Sequence, residues 1–100
     1  MDKNNIIRII SENQEQLIAF GTSRIGIFGS YVKGKATSKS DIDIYIEFEK
    51  GKKNFKNYTG AYLFLKDLLQ QEIDFITPES LSPYIGPHIL NEVEYVPFHH

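Results

Sequence analysis

Hydrophobic residues recur along this chain with two different periods, one typical of helices and the other of strands. Between residues 4 and 20, isoleucine and leucine return at helix-like intervals, which predicts an amphipathic helix with Gly21 as its C-terminal cap. Residues 58–71 show the same period and predict a second helix. An irregular helix is expected over residues 84–92, after a helical turn at residues 77–80.

Four other stretches are rich in β-branched and aromatic residues, which favour strands. The clearest spans residues 41–48, where Ile or Phe alternates strictly with Asp, Tyr or Glu, so that one face is apolar and the other polar. Shorter strands are predicted over residues 24–28, 72–76 and, at an edge, 93–96. This order predicts an α/β (α+β) fold: a small mixed sheet of about three or four strands with helices packed on one side.

Length and composition predict a single domain over residues 1–100, with an N-terminal helix at residues 1–20 and a tail at residues 97–100. His99 and His100 resemble the start of a purification tag and are given no function. The absence of cysteine excludes a disulfide framework and a thiolate metal site. No apolar run resembles a signal peptide or a membrane span, so the expected location is the cytoplasm.

The formal net charge of −2 argues against a protein that coats nucleic acid, because that task needs a strongly basic surface. We therefore expect no direct nucleic-acid binding, and no membrane binding. Local positive charge suits a small polyanion such as a nucleoside triphosphate, although a solvated loop explains the lysines of residues 50–56 equally well. The lysines of the middle third are Lys33, Lys35, Lys39, Lys50, Lys52, Lys53 and Lys56.

Two aspartates stand on the polar face of the clearest predicted strand. Asp41 and Asp43 are two residues apart, so both carboxylates project from one face, with their backbones about 7 Å apart. Side chains at that spacing can converge on a shared cation, and Mg²⁺ prefers hard oxygen ligands. An edge strand with its charges facing water explains this pair equally well.

A third aspartate, Asp74, occupies the polar side of the strand predicted over residues 72–76. If that strand lies beside the strand of Asp41 and Asp43 and shares its buried face, three carboxylates cluster and repel one another unless cations neutralise them. Such a cluster suits two Mg²⁺ ions about 4 Å apart, which can hold the attacking and leaving oxygens of a phosphoryl transfer. Asp74 would then bind the metal nearer to the attacking group and could accept its proton.

The turn Gly29–Ser30 is the candidate for binding phosphate. Glycine at a strand end permits a sharp turn and a close approach of the backbone to a ligand. A short helix predicted over residues 30–34 would direct free N–H groups at a phosphate, and the serine hydroxyl would add a donor. Lys33 or Lys35 could reach the same phosphates, although each is equally well explained as an exposed lysine.

Several other kinds of site are excluded by missing residues. Gly29 is not followed by the Gly-Lys-Ser/Thr of a P-loop, and the chain has no Gly-x-Gly-x-x-Gly dinucleotide motif. With no cysteine, and with His88 as the only histidine before the C-terminal pair, a zinc site is not expected. His88 is interpreted as a structural residue beside Pro87 rather than as a catalytic base.

Taken together, these residues resemble a known family. Gly29–Ser30, followed after ten residues by Asp41-Ile42-Asp43, matches the Gly-Ser-x10-Asp-x-Asp signature of the DNA polymerase β-like nucleotidyltransferases. Asp74 matches the third carboxylate of that superfamily. The short chain and the segment after residue 77 resemble the minimal nucleotidyltransferase (MNT) group, whose members are commonly antitoxins. The resemblance covers residues 20 to 96.

The resemblance implies an enzyme, because members of this group are understood to transfer AMP from ATP onto a tyrosine of a HEPN-domain ribonuclease toxin. Mg²⁺ is the implied cofactor, expected as two ions with ATP, and the implied partners are ATP and a HEPN-type toxin, in a homo- or hetero-oligomer. The residues implied are Asp41, Asp43 and Asp74 for catalysis and metal binding, and Gly29, Ser30 and Lys33 for the nucleotide.

The chain departs from the family pattern at residues 31–33, where the family often has arginine and this sequence has Tyr-Val-Lys. Lys33 supplies charge but not the planar bidentate fork of an arginine. Two alternatives stay open: nucleotidyl transfer to a small-molecule hydroxyl, and a non-catalytic antitoxin that neutralises its toxin by binding. The first would need more chain for an acceptor site, and the second would leave a destabilising carboxylate cluster without a use.

Overall fold

The computed structural model describes residues 1–99, so the predicted tail residue His100 lies outside the described part of the chain. Within it, helices α1 to α5 span Lys3–Glu12, Gln14–Ala19, Ser30–Lys33, Phe55–Leu69 and Gly86–Glu92. Strands β1 to β4 span Thr22–Phe28, Ile42–Phe48, Ile73–Ile76 and Glu94–Tyr95, and a 3₁₀ helix spans Pro78–Ser80. None of the helices in residues 1–99 is long and apolar enough to cross a membrane.

The four strands form one mixed sheet in the order β3-β2-β1-β4. β1 is antiparallel to both of its neighbours, β2 and β4. β2 and β3 are parallel, with α4 in the connection between them, since parallel neighbours need a crossover of a dozen or more residues. The predicted α/β fold with a small mixed sheet is confirmed, and the predicted edge strand at residues 93–96 is a two-residue strand at that edge.

The hydrophobic core lies between one face of the sheet and the helices α1, α2 and α4. The strict alternation in β2 puts every second residue there, and each fully buried isoleucine or leucine contributes about 1.5 to 3 kcal/mol. The core residues with no exposed area are Ile6, Ile10, Leu17, Ile25, Ile27, Ile42, Ile44, Ile46, Ala61 and Leu65, and Leu69 is 1% exposed.

The helix predicted over residues 4–20 is interrupted at Asn13, which separates α1 from α2. The Asn13 side chain donates a hydrogen bond from Nδ2 to the carbonyl of Ile9 at 2.8 Å, and its backbone has the non-helical φ and ψ of −118° and 22°. A short amide side chain competes in this way with the helical backbone bonds. The prediction of one continuous helix was therefore wrong, although its buried positions are those expected.

The second long helix begins three residues earlier than predicted, at Phe55 instead of residue 58. Asn54 caps it, because its side-chain oxygen accepts a hydrogen bond from the N–H of Asn57 at 2.8 Å. The cap explains why the helix extends into a stretch that its polarity predicts to be loop.

The face of the sheet opposite the core is partly covered by the chain that follows α5. Gly26 pairs with Tyr45 and so points to this second face, where Val93 lies against it. A Cβ at Gly26 would stand 2.7 Å from the carbonyl oxygen of Glu94, which is closer than real Cβ atoms come to other atoms. Glycine therefore lets the segment from Val93 to β4 pass close to β1, beginning near the strand end where the candidate site lies and running away from it.

Candidate active site

Two of the three predicted aspartates are neighbours in the sheet. Asp43 on β2 and Asp74 on β3 are register partners in the parallel pair, so their side chains project from the same face, away from the core. Burial above all, and then the nearby charge of Asp74, raise the pKa of the Asp43 carboxyl from its ordinary value of 3.8 to about 6. The structure thus concentrates negative charge at this end of the two strands.

Asp41 lies just before β2, which begins at Ile42 rather than at the predicted residue 41. Its side chain is exposed, and its charge adds to the raised pKa of Asp43. The N–H of Ile42 donates to the carbonyl of Glu72 at 3.0 Å, which ties the starts of the two strands together. Asp41 therefore lies beside the Asp43–Asp74 pair, in the loop just before β2, and not on the strand.

The donor chemistry of these side chains fits a divalent metal such as Mg²⁺, which prefers carboxylate oxygens. A bound cation would also offset the negative charges that, after burial, raise the pKa of Asp43. Across residues 1–99, no three His, Asp or Glu side chains are close enough together to form a metal site by themselves. Mg²⁺ commonly binds through one or two carboxylates plus substrate phosphates and water. Asp43 and Asp74 are thus suited to hold a metal whose other ligands a nucleotide brings.

Gly29 follows β1 and turns the chain against Asp43. Its φ of +74° and ψ of −146° are open to glycine and costly for other residues. A Cβ at this position would collide with Oδ2 of Asp43. The α3 helix then begins at Ser30, whose backbone N–H lies in a first helical turn and so has no acceptor within the helix. The turn and the predicted metal-binding carboxylate are therefore in direct contact.

Glu92, the last residue of α5, joins this group and was not predicted. Its Oε1 accepts a hydrogen bond from the N–H of Gly29 at 2.8 Å, and its Oε2 lies 3.3 Å from Nζ of Lys33. The charge of Glu92 also contributes to the raised pKa of Asp43. No spacing in the sequence indicates this contact, because it depends on how the segment after α5 crosses to β1.

The lysines predicted around the site do not all gather there. Lys33 lies on α3 beside Glu92, whereas Lys53 follows the opposite end of β2 and pairs with Glu79 at 2.9 Å. For Lys53, the interpretation as part of a surface loop is therefore the correct one. His88 lies exposed on α5.

The fold and the paired carboxylates suit a nucleotidyl-transferring enzyme, and comparison with known families agrees on that class. The chain matches the nucleotidyltransferase domain family over residues 4–96 and therefore belongs to it. The predicted membership of the minimal nucleotidyltransferase group is confirmed, and the chain is a nucleotidyltransferase.

Two relatives illustrate the likeness in sequence. Protein adenylyltransferase MntA of Thermococcus cleftensis is 39% identical over 77 residues, which is 77% of each chain. A protein of Methanocaldococcus jannaschii, provisionally named protein adenylyltransferase MJ0435, is 38% identical over 76 residues, which is 76% of this chain and 81% of its own.

Solved structures share the whole architecture. One described provisionally as a minimal nucleotidyltransferase is 25% identical, with a TM-score of 0.72, and the match covers 98% of this chain and 97% of that one. A toxin–antitoxin complex crystallised with AMP-PNP gives a TM-score of 0.66 at 20% identity, over 99% of this chain and 75% of that one, and so shares the fold.

Proposed function

We propose that this protein transfers AMP from ATP to a tyrosine hydroxyl of a HEPN-type ribonuclease toxin and thereby acts as its antitoxin. The observation that carries the proposal is that Asp43, the register partner of Asp74, contacts the Gly29–Ser30 turn at Gly29. The relative named protein adenylyltransferase MntA supports the reaction. The fold shared with a toxin–antitoxin complex crystallised with AMP-PNP supports both the nucleotide and the kind of partner.

In this proposal, Ser30 and Lys33 bind the triphosphate, and Gly29 shapes the turn that presents them. Asp41 and Asp43 would hold the metal together with the triphosphate, and Asp74 would complete the metal site. Bound Mg²⁺, which we propose as two ions, supplies charge neutralisation and alignment of the attacking and leaving oxygens. The same residues that repel one another in the free protein would thus become ligands.

The proposed reaction is an in-line displacement at the α-phosphorus of ATP. The tyrosine oxygen forms the new bond to phosphorus, the bond from phosphorus to the oxygen that bridges to the β-phosphate breaks, and pyrophosphate leaves. Asp74 accepts the proton of the tyrosine hydroxyl, which makes that oxygen a stronger nucleophile. We place the reaction in the cytoplasm, in a complex between this protein and the toxin.

The test is to incubate the protein with ATP, Mg²⁺ and the product of the adjacent gene, and to measure the intact mass of that partner. The proposal predicts a gain of one or more AMP groups, located on tyrosine by peptide mass spectrometry. The gain should disappear in the Asp41→Asn/Asp43→Asn double variant and persist in Asp67→Asn, which neutralises an exposed carboxylate on α4. If the partner stays unmodified and the wild type and the double variant bind it equally tightly, the transfer is refuted. The protein would then be a non-catalytic antitoxin that neutralises its toxin by binding.

A further inference from the structure

We infer that Glu92 is a positioning residue for the triphosphate, because its carboxylate holds Lys33 and the Gly29–Ser30 turn in place. The inference rests on the proposed function, since it concerns how the same site receives ATP. It adds to that function a residue from the C-terminal part of the chain, 49 positions after Asp43 in the sequence.

The two oxygens of Glu92 hold two parts of one short segment. Oε1 accepts from the N–H of Gly29 at 2.8 Å, and Oε2 pairs with Nζ of Lys33 at 3.3 Å. The side chain of Glu92 is 25% exposed, so the pair is partly shielded from water, whereas that of Lys33 is 54% exposed and keeps donors available for a ligand. Hydrogen bonds to an ionised acceptor are stronger than neutral ones, and this one fixes the direction of the turn.

The backbone of Glu92 is itself fixed to the strand that carries the turn. Val93 lies against Gly26, and Glu94 pairs with Ile27 in the antiparallel contact of β4 with β1. Gly29 lies two residues beyond Ile27 on the same chain. Because β4 is paired with β1, the backbone at Glu92 and the turn at Gly29 cannot move independently. The glutamate side chain therefore has only a short distance to span between them.

The hydrogen bond from the N–H of Gly29 to Glu92 also gives the residues of the turn different roles. A backbone N–H that donates to Glu92 is not available to phosphate, so Gly29 acts through the shape of the turn. The donors left for the triphosphate are the backbone N–H and hydroxyl of Ser30 and the remaining ammonium hydrogens of Lys33. Glu92 thus orients groups that touch the nucleotide without needing to touch it.

A carboxylate at this place has an electrostatic cost, because its charge adds to those of Asp41, Asp43 and Asp74. A glutamine could accept the same hydrogen bond from Gly29 without that charge. Glutamine could not form an ion pair with the Lys33 ammonium. The need to orient Lys33 therefore explains the negative charge at residue 92.

The experiment measures binding of a non-hydrolysable ATP analogue with Mg²⁺ by calorimetry, together with KM for ATP and kcat in the transfer assay. Glu92→Ala removes both contacts, and we expect analogue binding to weaken about tenfold or more, since lost hydrogen bonds to charged groups cost about that much. Glu92→Gln keeps an acceptor for Gly29 and loses the ion pair, so a smaller weakening is expected. In both variants KM for ATP should rise more than kcat falls.

The matched control is Glu94→Gln, two residues further on. Glu94 also pairs with a lysine at 2.9 Å, but with Lys3 of α1 instead of Lys33 of α3. We expect its analogue binding to equal that of wild type. In a Lys33→Ala background the effect of Glu92→Gln should vanish, because the glutamate would have no ammonium left to orient.

Three outcomes overturn the inference. Tighter analogue binding in the Glu92 variants would mean that Glu92 competes with phosphate for its donors. A lower melting temperature with unchanged analogue binding would mean that Glu92 only stabilises the fold. If the wild-type protein binds no analogue at all, the proposed function itself fails, and the inference about Glu92 fails with it. If the wild-type protein binds the analogue and the Glu92 variants bind it equally well, only the inference about Glu92 fails.

Discussion

Asp74 lies directly opposite Asp43 in the parallel pair of β3 and β2, so two like charges are neighbours on one face of the sheet. Like charges placed directly across a pair of strands are destabilising. The raised pKa of Asp43 records that repulsion together with the burial of its carboxyl. The site is therefore organised at the expense of the stability of the free protein.

Removing the charge of Asp43 should stabilise the protein near neutral pH. An acid whose pKa is raised by folding binds its proton more tightly in the folded state, so stability falls as pH rises from about 4 to about 6 and stays reduced above. Without divalent metal at pH 7, we expect Asp43→Asn to gain on the order of 1 to 2 kcal/mol after solvent screening is allowed for.

The check is thermal unfolding of both proteins in EDTA at pH 7 and pH 4. The advantage of Asp43→Asn should be present at pH 7 and nearly absent at pH 4, while Asp67→Asn shows neither change. Equal melting temperatures at pH 7 would contradict the electrostatic cost.

The pKa of Asp43 should fall when its neighbour loses its charge. In Asp74→Asn we expect a value below the present value of about 6 but above the ordinary 3.8, because burial is the largest cause and remains. Asp41→Asn should lower it less, since the charge of Asp41 contributes less than that of Asp74. Carbon-detected NMR titration of the Asp43 carboxyl measures both shifts, and an unchanged value in Asp74→Asn would mean that the pair does not interact.

Alanine at Gly29 should disrupt the site more than alanine at Gly34. Both glycines have positive φ, +74° and +72°, but a Cβ at Gly29 collides with Asp43, whereas a Cβ at Gly34 meets nothing within 4 Å. We expect Gly34→Ala to cost about 1 to 2 kcal/mol for the left-handed backbone. Gly29→Ala should cost more in denaturant unfolding and should abolish transfer. Similar losses in the two variants would contradict the close contact.

The core under the sheet should depend on one leucine of α4 and not on its neighbour. Leu65 is fully buried and Leu63 is 56% exposed, although both are leucines on the same helix. We expect Leu65→Ala to lose about 2 to 5 kcal/mol and Leu63→Ala to stay within about 0.5 kcal/mol of wild type. Urea unfolding measures both, and a large loss in Leu63→Ala would show that this face of α4 is covered.

The parts of the site that depend on strand alternation could be predicted from the sequence. Because strand side chains alternate with a period of two, the buried isoleucines of β2 place Asp43 on the opposite face, and the same reasoning places Asp74. Alternation does not reveal which residue of the neighbouring strand lies beside a given residue. The parallel register brought Asp74 opposite Asp43 and left Asp41 at the edge.

The parts that the sequence did not reveal depend on contacts between distant segments or on single side chains. Glu92 reaches Gly29 across 63 residues, because β4 adds to the edge of β1. Asn13 ends α1 because its side chain bonds to the preceding turn, and the hydrophobic period continues past it. Such competition between side chain and backbone leaves no trace in the apolar pattern.

The alternation in β3 also determines where this chain can change length. One residue inserted between Ile73 and Asp74 would exchange the two faces of the strand from that point, so that the carboxylate would turn into the core and Phe75 out of it. Insertions in the exposed stretch from Lys50 to Asn54 would leave the positions in both strands unchanged. We therefore expect natural length variation to accumulate between β2 and α4, because a deletion or insertion in β3 would remove stability and chemistry together.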